Sequence, residues 1–242
     1  MTIKACLFDI GGVVVRSPMI GIAEYEQELG IPAGYINYTI AATKKGAWQK
    51  LERNEIPLNH IFYDEFTSDL RNPTMWKAFH AAKKLGTPAT PNPPAIHGET
   101  LFWRMMAKSR EFDPLMVNAI EKLRKSGKFR LGALTNDYKH PENHPHADTS
   151  ALRAMFDVFV SSTESGMRKP EEGFYRLAME KLGVKEPSEI VFLDDIGTNL
   201  KAAKALGFNV IRVEIGKSHE AIEQLEKYVG MSLLDKVTVS KL

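Results

Sequence analysis

Six side chains carry the chemistry that this sequence suggests: Asp9, Thr135, Asn136, Lys169, Asp194 and Asp195. Each stands at or near the end of a short apolar run, where a strand gives way to a turn. Three carboxylates brought to one place repel unless a cation lies among them, and an all-oxygen site of few ligands suits magnesium, which keeps waters and leans on substrate phosphate. A phosphate is therefore the natural guest. Lys169 supplies it with a point charge, while the Thr135 hydroxyl and the amides that follow hold its oxygens. Asp9, beside the metal, can attack phosphorus in line and form an acyl phosphate that water hydrolyses, which splits one hard step into two. Singly, each residue has a plainer role: Lys169 in a solvated turn beside Pro170, Thr135-Asn136 as a helix cap, Asp9 and the Asp194-Asp195 pair capping turns. Jointly, and in this order, they specify a site.

The elements that must position these groups follow from periodicity. Ala5 to Phe8 reads as a buried strand ending on Asp9, and Gly11 and Gly12 let backbone groups close on a ligand there, which places Gly12 among the phosphate contacts. From Pro18 to about Ala107 the pattern is helical, with apolar residues three or four apart over 22–29, 48–56, 58–70 and 76–85. Prolines at 88, 91, 93 and 94 make 86–98 a connector. Asp113-Pro114 starts a helix that runs to Ser126-Gly127. Strands are then expected at 129–134, 156–161, 190–193 and 208–213, alternating with helices at 171–182, 199–206 and 218–229. This order predicts an α/β core with a doubly wound parallel sheet. The core comprises 1–16 and 108–242, interrupted by an all-α cap at 17–107, and 235–242 is expected as an exposed tail. Parallel strands bring their carboxyl ends, and so the six side chains, to one edge.

With 242 residues and a formal charge of +2, the chain carries neither the basic stripe of a nucleic-acid binder nor an acidic tail. No apolar run approaches a membrane span. The lone Cys6 excludes an internal disulfide and points to a reducing compartment. Ser240-Lys241-Leu242 matches the peroxisomal import tripeptide, so import through its receptor is expected, with a cytoplasmic location otherwise. His140, His144 and His146 have a spacing open to metal ligation, yet the prolines and acids among them suggest a solvated loop, one placed to overhang the site. Trp48, Phe62, Tyr63 and Phe66 are candidates either for the substrate pocket or for the cap's own core.

The stretches Asp9-Ile10-Gly11-Gly12-Val13, Leu134-Thr135-Asn136, Gly166-Met167-Arg168-Lys169-Pro170 and Phe192-Leu193-Asp194-Asp195-Ile196-Gly197-Thr198-Asn199 resemble the haloacid dehalogenase superfamily, in its phosphatase-like branch with a helical cap. The likeness is greatest to the phosphatase domain of bifunctional soluble epoxide hydrolases and the related domain fused to some acyl-CoA dehydrogenases. The resemblance implies that Asp9 is the nucleophile, that Thr135, Asn136 and Lys169 bind phosphate together with Asn199, and that Asp195, supported by Asp194, holds magnesium. It also implies that the position of Gly11 meets the metal through its backbone carbonyl. The usual pattern has a second Asp there that protonates the leaving group; glycine keeps the carbonyl and loses that help, typically worth ~10²–10⁴ in rate. Three readings stay open: a magnesium-dependent phosphatase acting on a small phosphorylated metabolite, a binding module of poor turnover, and a carbon–halogen or carbon–phosphorus hydrolase. The last would draw on Arg16 or Arg53, or on Lys44 or Lys45.

Overall fold

The computed structural model describes residues 2–142 and 144–235. The Ser240-Lys241-Leu242 tripeptide lies outside them. The first strand, β1 (Ala5–Phe8), is followed by six cap helices: α1 (Met19–Glu28), α2 (Tyr35–Ala42), α3 (Ala47–Glu52), α4 (His60–Leu70), α5 (Pro73–Ala82) and α6 (Gly98–Lys108). The chain returns through α7 (Pro114–Ser126) to β2 (Arg130–Thr135), α8 (Ser150–Arg153), β3 (Val158–Ser161), α9 (Ser162–Ser165) and α10 (Glu172–Leu182). It closes with β4 (Ile190–Asp194), α11 (Gly197–Ala205), β5 (Asn209–Arg212) and α12 (Ser218–Val229). Asp113 caps α7 by accepting the amides of Leu115 and Met116 at 3.0 Å each, with Pro114 at the first helical position.

The five strands are parallel in the order β3-β2-β1-β4-β5. The chain winds one way from β1 to β3 and the other way from β4 to β5, so a crevice opens beyond the carboxyl ends of β1 and β4. Register sharpens this: Phe8 lies opposite both Ala133 and Leu193, which brings Asp9 and Asp194 abreast, one residue farther on. Side chains alternate between faces. Cys6, Phe8, Val191 and Leu193 enter the core under α7 and α12, while Ala5, Leu7, Ile190 and Phe192 enter the one under α10 and α11. Burial on both faces explains why these strands read as unbroken apolar runs.

The cap has its own aromatic core. Tyr35 meets Trp76 edge-on at 4.8 Å, and Phe62 stacks on Phe66 at 5.3 Å. The departing and returning segments run side by side: Val15 bridges Phe112, the Arg16 amide donates to the Glu111 carbonyl at 2.8 Å, and that of Asp113 donates to Val14 at 2.9 Å.

The cap helices depart from expectation. Helix α2 was not foreseen, because its buried side, Tyr35, Ile36 and Thr39, mixes apolar and polar types. Helix α3 stops at Glu52 instead of continuing to 56, since Asn54 turns left-handed at φ 59. Asp235, the first residue of the expected exposed tail, is exposed and pairs with Lys122 at 2.7 Å and Asn118 at 3.0 Å, and 236–242 lie outside the described residues. Among the described residues no helix is long and apolar enough to cross a membrane.

Candidate active site

Asp9, Lys169, Asp194 and Asp195 converge at the carboxyl edge of the sheet. The Lys169 ammonium, only 1 % exposed, lies 2.7 Å from Asp9 Oδ1 and 2.8 Å from Asp194 Oδ2. Burial works against its charge, but Asp194 and Asp9 outweigh burial and hold Lys169 above the ordinary lysine range. Asp9 Oδ1 also accepts the Ile10 amide at 2.6 Å. The other Asp9 oxygen takes no hydrogen bond from the described residues, and Asp9 lines the cavity above it.

The carboxylates outnumber their cation. Oxygens of Asp9, Asp194 and Asp195 lie within 4.8 Å of one another. Burial, and then Asp194, pushes Asp195 up to about 6, and Asp9 is raised well above its usual range by burial, against the pull of Lys169. Asp194 is fully engaged by Lys169, the Ile196 amide at 2.7 Å and the Asn199 side chain. Asp195 is not: Oδ2 accepts from Ser17 Oγ at 3.1 Å, and Oδ1 is buried without a partner. An orphaned carboxylate oxygen in an excess of negative charge fits a hard divalent cation such as magnesium.

The remaining expected residues divide. Thr135 lines the cavity, buried at the end of β2. The Asn136 side chain clamps the Lys169 backbone, accepting its amide at 2.8 Å and donating to its carbonyl at 3.1 Å. Asn199, expected at the phosphate, donates to both Asp194 oxygens at 3.1 and 3.2 Å and is 2 % exposed, so its amide is already committed. The expected phosphate contact at Gly12 is likewise corrected: its amide donates to the Val15 carbonyl at 2.8 Å. Gly12 instead makes room for a carboxylate. With φ +80°, any side chain there would be strained, and its Cβ would fall 2.2 Å from Asp195 Oδ2. Gly11 lines the cavity next to Asp9.

A cavity of about 1680 Å³ lies between cap and core. Of the four aromatic candidates only Trp48 lines it; Phe62 and Phe66 are sealed in the cap core, and Tyr63 packs against Phe62 and Phe102. Arg16 and Arg53 are paired with Glu111 and Glu171, and Lys44 and Lys45 are exposed and absent from the cavity wall. Sequence reasoning missed Ser17, Asp137, Glu52 and Arg168. Asp137 Oδ1 accepts from Ser161 at 2.8 Å and from Thr163 at 3.1 Å, which ties the end of β2 to that of β3. Its position two residues past Thr135 was the available signal.

The histidine loop borders the cavity through His140 and His146 and is docked on the cap by stacking, with His144 5.0 Å from Trp103 and 4.8 Å from His140. Burial, then the neighbouring His144, His146 and Arg110, pushes His140 down to about 4. An unfolded histidine takes up its proton near 6.5. The docked loop therefore has its full stability above that pH and loses it progressively as pH falls to about 4. In an NMR titration the His140 ring is expected to show a midpoint near 4, accompanied by loss of the Trp103–His144 contact; a midpoint at or above the ordinary value would contradict the stacked arrangement.

A family model described as haloacid dehalogenase-like hydrolase matches residues 3–207. The mouse (Mus musculus) acyl-CoA dehydrogenase family member 10 is 30% identical over 95% of this chain and 19% of its own length. The pig (Sus scrofa) bifunctional epoxide hydrolase 2 is 29% identical over 97% of this chain and 40% of its own. The chain thus spans less than half the length of these curated relatives. Among solved structures, a HAD-like family hydrolase from Porphyromonas gingivalis superposes with a TM-score of 0.58 at 22% identity, covering 93% of this chain and 98% of that one.

Proposed function

The chain belongs to the haloacid dehalogenase-like hydrolase family, and from that premise we propose that it hydrolyses phosphomonoesters of small metabolites through an aspartyl-phosphate on Asp9. The observation that carries this reading is the division of labour between the two Asp9 oxygens. Lys169 and the Ile10 amide hold Oδ1, which leaves Oδ2 free of protein partners to act as the nucleophile, on a residue that lines the cavity. Attack by Oδ2 forms a bond to phosphorus and breaks the bond to the ester oxygen, which departs with its electron pair. Water then attacks the acyl phosphate, releasing inorganic phosphate and restoring the carboxylate. Thr135 and the amides that follow it hold the phosphoryl oxygens, and Lys169 offsets their charge.

Asp9, Asp195 and the Gly11 carbonyl would hold magnesium, with Asp194 in support. When bound, the ion neutralises charge on the phosphoryl group. Among the residues at this edge none stands where the usual second Asp would, since position 11 is glycine. The leaving oxygen therefore departs as an anion and takes its proton from water.

A panel of phosphate esters graded by leaving-group acidity tests this. Phosphate release is expected to require magnesium and to climb steeply with acidity. A Cβ at Gly11 would meet Pro18 Cδ at 3.5 Å, an ordinary contact, so the Gly11→Asp variant has space. It is expected to speed the poorest leaving groups by on the order of 10²-fold and flatten the slope. Wild-type release no faster than that of Asp9→Asn on every ester would sink the proposal.

A further inference from the structure

Helix α3 meets the α/β core through charged groups that the reaction does not itself use. Glu52, its last residue, is 6 % exposed; it accepts from Arg168 Nε and, at 2.9 Å, from Trp48 Nε1. The next residue, Arg53, reaches Glu171. Both core partners belong to one turn, Arg168 to Glu171, closed by the Glu171 amide donating to the Arg168 carbonyl at 2.8 Å. Lys169 lies inside that turn, and Asn136 clamps its backbone from the β2 side. The turn thus sends Lys169 toward Asp9, and Arg168 and Glu171 toward the cap.

The two pairs have opposite polarity. The cap offers acid then base at consecutive positions, and the turn offers base and acid in return. A shift of α3 by one residue would set Glu52 against Glu171 or Arg53 against Arg168, so the crossed arrangement admits a single seating. A buried pair of this kind brings little net stability, because desolvation offsets the attraction; its value lies in geometry. That geometry matters here because α3 also contributes Trp48, Gln49 and Leu51 to the cavity wall.

We propose that Glu52–Arg168 and Arg53–Glu171 form a latch that seats the cap over the turn bearing Lys169, which makes Glu52 and Arg53 positioning residues for the reaction at Asp9. Its kinetic consequence rests on the phosphohydrolase reading; the latch itself does not. With the latch closed, α3 completes the cavity wall and the Lys169 turn is held from both sides. With it open, water enters the cavity and the turn is held from β2 alone.

The test uses the full chain with Glu52→Gln, Arg53→Met, Arg168→Gln and the double variant Glu52→Gln/Arg168→Gln. Glutamine keeps the volume of Glu52 and can still accept from Trp48, so only the charge is lost. Acrylamide quenching of Trp48, with a Trp48→Phe background to subtract Trp76 and Trp103, reads the seating directly. Glu52→Gln and Arg53→Met are each expected to raise that quenching and to lower kcat/KM on p-nitrophenyl phosphate by about tenfold to a hundredfold. The double variant is expected to lose no more than the worse of its two parents, as partners in one pair do. Unchanged quenching in Glu52→Gln and Arg53→Met, or additive losses in the double variant, would overturn the latch. If wild type releases no phosphate, the hydrolase reading falls while the quenching arm still decides the latch.

Discussion

Replacing Asp9 with asparagine is expected to lower magnesium-dependent phosphate release by about 10⁴-fold or more, the scale on which removal of a covalent nucleophile acts. The substitution exchanges one carboxylate oxygen for an NH2 group and removes the negative charge. An asparagine can present its carbonyl oxygen to Lys169 and the Ile10 amide, but the group in place of Oδ2 is then an amide nitrogen that cannot attack phosphorus. The fold should tolerate it, because one buried negative charge leaves a site where three compete for one lysine. Steady-state phosphate release and thermal unfolding together decide the matter. A folded Asp9→Asn protein with more than about a hundredth of wild-type turnover would place the nucleophile elsewhere.

Lys169→Met is expected to damage stability as well as rate. Methionine fills much of the space but leaves Asp9 and Asp194 buried without their shared cation, and removing one partner of a buried ion pair costs about 3–5 kcal/mol. The sign with pH follows from the carboxylates. Deprived of lysine, Asp9 is left to burial and its acidic neighbours, all of which raise it, so the folded state binds more protons than the unfolded chain and gains stability as pH falls. The deficit against wild type should therefore be largest at neutral pH and shrink toward pH about 5, as buried carboxyls become protonated. Urea unfolding of both proteins at the two pH values measures this. A pH-independent deficit would mean that Lys169 contributes packing alone.

The strand ends were legible because burial on both faces forces continuous apolar runs, and a run that stops at a carboxylate is conspicuous. Asp9, Thr135 and Asp194 were all found in this way. What stayed hidden depended on pairing at a distance. Nothing local marks Glu52 as the partner of Arg168, since acids and bases on a short helix look like an ordinary solvated face. Ser17 beside Asp195 was invisible for the same reason. Asn136, Asn199 and Gly12 were legible as parts of the site, but nothing local shows that the Asn136 side chain clamps the Lys169 backbone, that the Asn199 side chain holds Asp194, or that Gly12 makes room for Asp195. Phe62 and Phe66 lie four residues apart on α4, and such spacing does not distinguish a helix's inner face from its cavity face.

The pairing of the departing and returning segments at Val14 to Arg16 and Glu111 to Asp113 has a consequence for how this architecture can change. The ends of the inserted helices are neighbours, so the insertion spans no gap, and from the sheet's viewpoint the whole cap is one long excursion between fixed anchor points. The closure entropy of such an excursion grows only with the logarithm of its length. Lengthening, shortening or replacing it leaves the strands and their register untouched. Substrate preference can therefore drift with the cap while the chemistry stays put, provided that any newcomer brings an acid–base pair for Arg168 and Glu171.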